Sequence, residues 1–509
     1  MLSRGGTESK MKYSEYLDKV KACWLGKNIG GTLGMPFESH RGTFDVEYYT
    51  HDLENGVLPN DDLDMQLVWL NAAEKYKTAV DSEVLSTYWQ LCVVAYWSEY
   101  GGGKNNMDLG ILPPASGSFN NPFSESCGCF IRSEIWACLC PGHPELAVRY
   151  AYEDACCDHS GEGIYAELFC AALQSAAFVE SDPDTLIDIA LGYIPKDCAV
   201  ARVIALVRRC YADGLDWKTT RKKVLCEVPC TFGLRYDDYE EGIPEAKLGY
   251  DAPCNIGLMI LSWIFGENDF SKSVCIAAGC GEDADCTAGT LAATLGIING
   301  TKNIDRKWTD PIGDEIKTVA VSKANATLIR IPDTVSELTQ RVAKLMPVFL
   351  SEYISVSEDG QLTIPAPESF GKTAWRSGWI EDRDPHWYMF DPQIVSKGEN
   401  AAMTAYIKAD GLNIASGTEK ELTVVLANKT HALWATVALD LPEELGGRKE
   451  IPCWVNDFTG GTSFNEYRMK IPAGELTKPY YDIGVTVKIN GMPSRIWLPL
   501  VLVNRSGQM

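Results

Sequence analysis

Two short acidic runs carry the densest chemistry in this sequence: Asn60-Asp61-Asp62-Leu63-Asp64 and Glu282-Asp283-Ala284-Asp285-Cys286. Carboxylates gathered in an interior repel one another and hold their protons unless a cation compensates. Oxygen donors without a His or Cys framework suit the hard ions Mg²⁺, Mn²⁺ or Ca²⁺ rather than zinc. Taken singly, each run also has a plainer explanation. Asn and Asp after Pro59 suit a helix start, where side-chain oxygens cap backbone N–H groups and carboxylates meet the positive end of the helix dipole. In the second run glycines lead into a tight turn, and capping accounts for one Asp. Capping does not account for the rest. Asp64 adds another carboxylate to the first turn, the Asp283-x-Asp285 spacing can aim two carboxylates at one point, and Thr287 adds a hydroxyl. Spacing alone does not say whether the two runs meet.

Both runs open helices. From Tyr13 to about residue 350, apolar residues recur at three and four positions, as in Ile164–Phe178, Val203–Cys210 and Ala288–Ile298. After residue 360 the period changes to two. Residues 422–428, 432–439, 481–489 and 495–503 read as strands. Gly446–Gly447, Gly460–Gly461 and Asn490–Gly491 supply turns, the last a hairpin. The expected architecture is multidomain α plus β. A disordered tail (1–12) precedes a large all-α domain (13–355). An aromatic-rich connector (356–395) with Trp375, Trp379, Trp387 and Tyr388 then leads to a small antiparallel β-sandwich (396–509).

Composition narrows the classes. The chain has 509 residues, a formal net charge of −23, 46% hydrophobic and 23% charged residues, as in a globular protein. That charge argues against a nucleic-acid binder, which needs a basic face. The most apolar run, Ile256–Gly266, is far shorter than the roughly 20 residues that span a bilayer, and reads as a buried helix. The N-terminus lacks the apolar stretch of a signal peptide, so a cytoplasmic location is expected. Seventeen of the eighteen cysteines precede residue 290, none forms a CxxC, and there are only six histidines. Reduced, buried thiols acting as small hydrophobes are expected.

Three segments, in order, resemble the signature of the ADP-ribosylglycohydrolase family, which includes the dinitrogenase reductase-activating glycohydrolases. Residues 24–38 (WLGKNIGGTLGMPFE) resemble its Gly-rich first helix ending in Pro-x-Glu. Residues 60–66 (NDDLDMQ) resemble its (Thr/Ser)-Asp-Asp-x-x-Met motif, and 281–296 (GEDADCTAGTLAATLG) its Gly-x-Asp-x-Asp-(Thr/Ser) motif. The resemblance covers roughly residues 15–350. It implies a helical bundle holding one or two Mg²⁺ ions, with Asp61, Asp62, Asp283 and Asp285 as ligands and Glu38 a movable carboxylate beside them. Glu38, Asp62 and Asp283 would be catalytic, with metal-bound water attacking the anomeric carbon of a ribosyl group. Asn60 stands where Thr or Ser is common, and its amide oxygen can still ligate. Ala284 replaces a usual Thr, and Glu282 sits where Gly is frequent. Cys286 replaces a Thr or Ser that supplies a hydroxyl ligand, and a thiol is a poor ligand for Mg²⁺. Thr287 offers a hydroxyl one place later.

Residues 125–163 resemble the region where family members place substrate-facing loops. Glu125, Gly128, Arg132, Asp158 and His159 are the candidates there, and the loop 113–123 is a candidate to close over ligand. The plainer readings are a surface pair for Arg132, a structural hydrogen-bonder for His159 and an ordinary surface loop. Three functions follow as expectations. The first is a Mg²⁺-dependent hydrolase of ADP-ribosyl conjugates. The second is a metal-dependent glycosidase acting on a furanosyl sugar of a glycan, and the third a sugar or nucleotide binder with a degenerate site.

Overall fold

The computed structural model describes residues 10–228, 249–321, 329–356, 362–365, 394–400, 402–429, 432–456 and 464–506. They fall into two compact units, Met1–Trp375 and Arg376–Met509. The first is helical. The expected helices form as Asp61–Tyr76, Glu162–Ala177, Ala199–Ala212 and Ala284–Asn299. The apolar run near residue 260 is the core helix Ala252–Phe265, buried from Ala252 to Trp263. Among the described residues no helix is long and apolar enough to cross a membrane.

The pairing that positions the site joins Tyr13–Gly34 to Ala284–Asn299. Gly26, Gly30 and Gly34 are four residues apart and share one helix face. A Cβ on each would lie 2.1, 2.2 and 2.4 Å from the carbonyl oxygens of Ala292, Ala288 and Ala284. A Cβ on Gly296 would lie 2.2 Å from the carbonyl oxygen of Ala22. The two backbones therefore touch, antiparallel, along four turns. This contact sets the start of Ala284–Asn299, which carries Asp285, beside the end of Tyr13–Gly34, which leads to Glu38. Gly30→Ala is expected to force the helices apart at a cost of about 1–3 kcal/mol. At roughly 2–4 °C per kcal/mol for a large domain, calorimetry should read a drop of several degrees in Tm. An unchanged Tm would contradict the backbone contact.

Lys10–Lys12, the end of the expected tail, is a strand paired with Leu362–Pro365, which also pairs with Ser355–Val356. Residues 1–9 lie outside the described residues. So do most of the aromatic connector, including Trp375, Trp379, Trp387 and Tyr388, and the turn Gly460–Gly461.

The second unit is a two-sheet sandwich. One sheet orders Lys449–Val455, Leu433–Asp440, Tyr480–Ile489, Arg495–Asn504 and Asn413–Ile414. The other orders Phe464–Pro472, Glu419–Asn428, Met403–Lys408 and Ile394–Glu399. Period two is visible in Arg495–Asn504, where Ile496, Leu498, Leu500 and Leu502 are buried between exposed or partly exposed neighbours. Both sheets feed one core, with Val437, Val485 and Leu498 meeting Ile407, Val424 and Leu426. Among the described residues pairing is antiparallel except for Asn413–Ile414, which runs parallel to Val503–Asn504. The hairpin at Asn490–Gly491 joins Tyr480–Ile489 to Arg495–Asn504, with Gly491 at φ +85°. Of the seventeen described cysteines, only Cys226 and Cys275 are not buried.

Candidate metal centre

The two acidic runs meet. Asn60 caps Asp61–Tyr76, its Oδ1 accepting from the Asp62 N–H at 2.7 Å. The same side chain donates from Nδ2 to Asp285 Oδ2 at 3.0 Å. Cys286 Sγ donates to Asp62 Oδ1 at 3.4 Å. Asp283 holds the N-cap position of Ala284–Asn299 but makes no capping hydrogen bond. Its Oδ2 instead accepts from Cys127 Sγ at 2.6 Å. Capping thus explains Asn60 and does not explain Asp283.

Two groups of potential ligand atoms lie within 4.8 Å of one another: Glu38, Asp283 and Asp285, and Cys127, Asp283 and Cys286. Asp62 Oδ2 and Asp285 Oδ1 are buried without a hydrogen-bond partner. Burial, then the charges of Asp61 and Asp62, push the Glu38 carboxyl up to about 7. Burial and the Glu38 charge push Asp285 up to about 7. Burial raises Asp61, and raises Asp62 and Asp283 well above the usual carboxylate range. Crowded carboxyls with orphaned oxygens are what a hard divalent cation would satisfy, so the residues present fit such an ion.

One cation is built in. Lys27, buried in the glycine-rich helix, lies 3.6 Å from Asp62 Oδ2 and 3.1 Å from Glu134 Oε1. Burial works against its ammonium, but Glu134 and Asp62 outweigh it and the pKa is raised. Gly289 leaves room beside this pair, since a Cβ there would lie 3.1 Å from Asp62 Oδ2.

Glu38 is placed by a two-residue ribbon, His40–Arg41 against Gly281–Glu282. Gly281 and Glu282 both take positive φ, +63° and +58°. The departure at Glu282 has a reason. Its carboxylate receives Arg41 at 2.9 Å and the fully buried Arg221 at 3.0 Å. Glu282→Ala would leave Arg221 without this charge partner, and is expected to cost about 3–5 kcal/mol in urea unfolding. A change below about 1 kcal/mol, within the range of ordinary surface substitutions, would contradict the clamp. Asn255 Oδ1 accepts from the Asp283 N–H at 3.3 Å. The Tyr250 hydroxyl lies against Ser39 Oγ and the Glu38 carboxylate.

The remaining expected residues sit elsewhere. The Thr287 hydroxyl donates to its own helix, at the carbonyls of Asp283 and Ala284. Asp64 Oδ2 accepts from the N–H groups of Val319 and Ala320, a structural tie. Arg132, Asp158 and His159 are fully buried, not lining an open pocket. The reason is electrostatic: the Arg132 guanidinium must be paired in the interior. It meets Asp154 at 2.9 Å, Asp158 at 2.8 Å and Glu167 at 3.9 Å, and stacks on Trp89. Asp158 also holds His159 Nδ1 at 2.8 Å, and His159 Nε2 meets Ser126 Oγ at 3.0 Å. Glu125 Oε1 accepts from the Glu162 N–H, at the start of Glu162–Ala177. Gly128 has no space for a side chain, because a Cβ would sit 1.8 Å from Glu99 Oε1. The loop 113–123 is bound to the same region, with Ser116 Oγ donating to Cys157 O and Asn121 Nδ2 to Asp158 O.

The ADP-ribosylglycohydrolase family model matches residues 12–344. The chain belongs to the ADP-ribosylglycohydrolase family. Membership supports a glycosidic-bond hydrolase, and the sandwich lies beyond the match. A solved structure titled "ADP-ribosylglycohydrolase-related protein complex" is 16% identical with a TM-score of 0.44, covering 66% of this chain and 99% of that one. No curated protein matches. For an ADP-ribosylglycohydrolase-family chain, the sequence reading missed Lys27, Cys127, Tyr250 and Asn255. Lys27 left a signal, since a lysine among glycines and apolar residues in a buried helix needs an anionic partner. Cys127 left none, being one thiol among eighteen.

Proposed function

We propose that this family member uses the acidic cluster to bind a hard divalent cation, Mg²⁺ by the chemistry of the donors. Glu38, Asp61, Asp62, Asp283 and Asp285 would hold it, and the bond hydrolysed joins ADP-ribose or a related ribosyl group to its carrier. The observation that carries the reading is the pair of buried oxygens without a hydrogen bond, Asp62 Oδ2 and Asp285 Oδ1, amid clustered carboxyls. A bound cation supplies Lewis-acid polarisation and orientation of ribose and water oxygens.

The chain's own groups do the rest. Asn60 fixes Asp285, and Lys27 faces Asp62. Glu38 is only partly buried beside Asp283 and Asp285, a carboxylate placed to accept a proton. It takes the proton of the water that attacks the anomeric carbon. The bond from that carbon to nitrogen or oxygen breaks as the new bond to hydroxyl forms, and the proton taken by Glu38 passes to the departing nitrogen or oxygen. Release of free ADP-ribose from ADP-ribosylated protein tests this. Activity should require Mg²⁺ and be abolished by EDTA; activity unaffected by EDTA would end the reading.

A glycan substrate has one observation in its favour. On the sandwich, Trp434 and Trp454 are cross-strand partners with rings 5.2 Å apart, and both are exposed, as is Trp497. Exposed aromatic rings are suited to stacking on sugars. Nitrophenyl furanosides screened beside ADP-ribosyl substrates separate the two. Hydrolysis of the furanosides alone would favour the glycan.

A further inference from the structure

The exchange of a hydroxyl for a thiol at Cys286 is matched by a second thiol from another segment. Cys127 lies in the loop ahead of Phe130–Arg132, whose position is fixed by its own N–H donating to Tyr250 O at 2.9 Å. The potential ligand atoms of Cys127, Asp283 and Cys286 are mutually within 4.8 Å, and all three residues are buried. Cys127 Sγ is 2.6 Å from Asp283 Oδ2, and Cys286 Sγ is 3.4 Å from Asp62 Oδ1.

Asp62 Oδ2, on the carboxylate that Cys286 touches, is buried with no hydrogen-bond partner. Thiols are weak donors and leave such carboxylates poorly satisfied. Lys27 supplies one positive charge at 3.6 Å. That single charge faces the carboxylates of Glu134 and Asp62 together.

Two sulfurs with carboxylate oxygens form a donor set for a tetrahedral, thiophilic ion such as Zn²⁺, and a poor one for Mg²⁺. We propose that Cys127, Cys286 and Asp283 form a second metal site selective for a thiophilic divalent cation. It adjoins the carboxylate site of Glu38, Asp283 and Asp285 and shares Asp283 with it. The proposal rests on the reading of Asp283 as a metal ligand. On binding, each thiol loses its S–H proton to solvent, and two sulfur–metal bonds form without change of oxidation state. The centre then pairs one hard and one soft ion, and the thiol at position 286 is a ligand.

Cobalt reads this directly. The full chain, stripped with EDTA, is titrated with Co²⁺ alone and followed in the near ultraviolet, where thiolate-to-cobalt charge transfer absorbs. A band saturating near one equivalent is expected. Cys127→Ser and Cys286→Ser should each remove it and weaken Co²⁺ binding on the order of 100-fold or more, since even indirect ligand partners are worth 10–100-fold. Cys129→Ser, whose thiol donates to Gly163 O instead, should keep the band. Circular dichroism checks folding, and the alanine variants repeat the test if a serine variant unfolds. Mn²⁺ titration of the wild type reads the carboxylate site separately. Absence of the band, or its survival in both serine variants, overturns the proposal. Mn²⁺ binding without the cobalt band overturns the thiol site and leaves the carboxylate reading standing. Binding of neither ion overturns both.

Discussion

Replacing Asp283 or Asp285 with Asn is expected to lower glycosidic-bond hydrolysis by about 10³-fold or more. Lewis-acid and orienting contributions amount to several kcal/mol, and each 1.36 kcal/mol is tenfold in rate. The substitution is nearly isosteric, so the helix pair that frames the site keeps its contact. An amide oxygen at 285 can still accept from Asn60 Nδ2. Removing one charge from a buried, mutually repelling set also relieves the cation-free fold. Activity should therefore collapse while Tm without added metal holds or rises. Paired measurement of kcat and Tm separates this from simple unfolding. A variant within tenfold of wild-type kcat would contradict the assignment of these carboxylates.

The second large effect is the pH dependence of metal stabilisation. In the folded chain Glu38 and Asp285 are pushed up to about 7. Unfolded carboxyls titrate near 4. Between those values the folded state keeps protons that the unfolded state has released, so the slope of stability against pH is negative. Stability from these groups is fully present below about pH 4 and is lost as pH rises to about 7. A divalent cation competes with the same protons, so its stabilisation should be small near pH 5 and large near pH 8. Thermal melts with and without Mg²⁺ at the two pH values read this directly. Asp285→Asn should flatten the difference. An equal Mg²⁺ increment at both pH values in the wild type would contradict it.

The helical unit and the strands of the sandwich were legible because their apolar periods are strong: three and four in Ala288–Ile298, two in residues 495–503. The parallel pairing at Asn413–Ile414 was not, since two residues carry no period. The acidic runs named the chemistry but not their meeting, which depends on where helices are placed. That placement was nonetheless written in the sequence, as glycines at 26, 30 and 34 facing alanines at 292, 288 and 284, and Gly296 facing Ala22. The burial of three residues expected to line a pocket was hidden for a different reason. Arg132, Asp158 and His159 are charged or polar residues in a stretch with loop character, and only the fold reveals that they satisfy one another inside. Cys127 was invisible because its partners, Asp283 and Cys286, lie more than 150 residues away.

Calorimetric titration with Mn²⁺ of the EDTA-treated full chain, beside Asp62→Asn from the first run and Asp285→Asn from the second, is the most direct test that both runs build one metal centre. The wild type should bind, and each variant should bind at least about tenfold more weakly, because one shared site loses a ligand from either side. Failure of the wild type to bind, or wild-type affinity in either variant, would contradict the account.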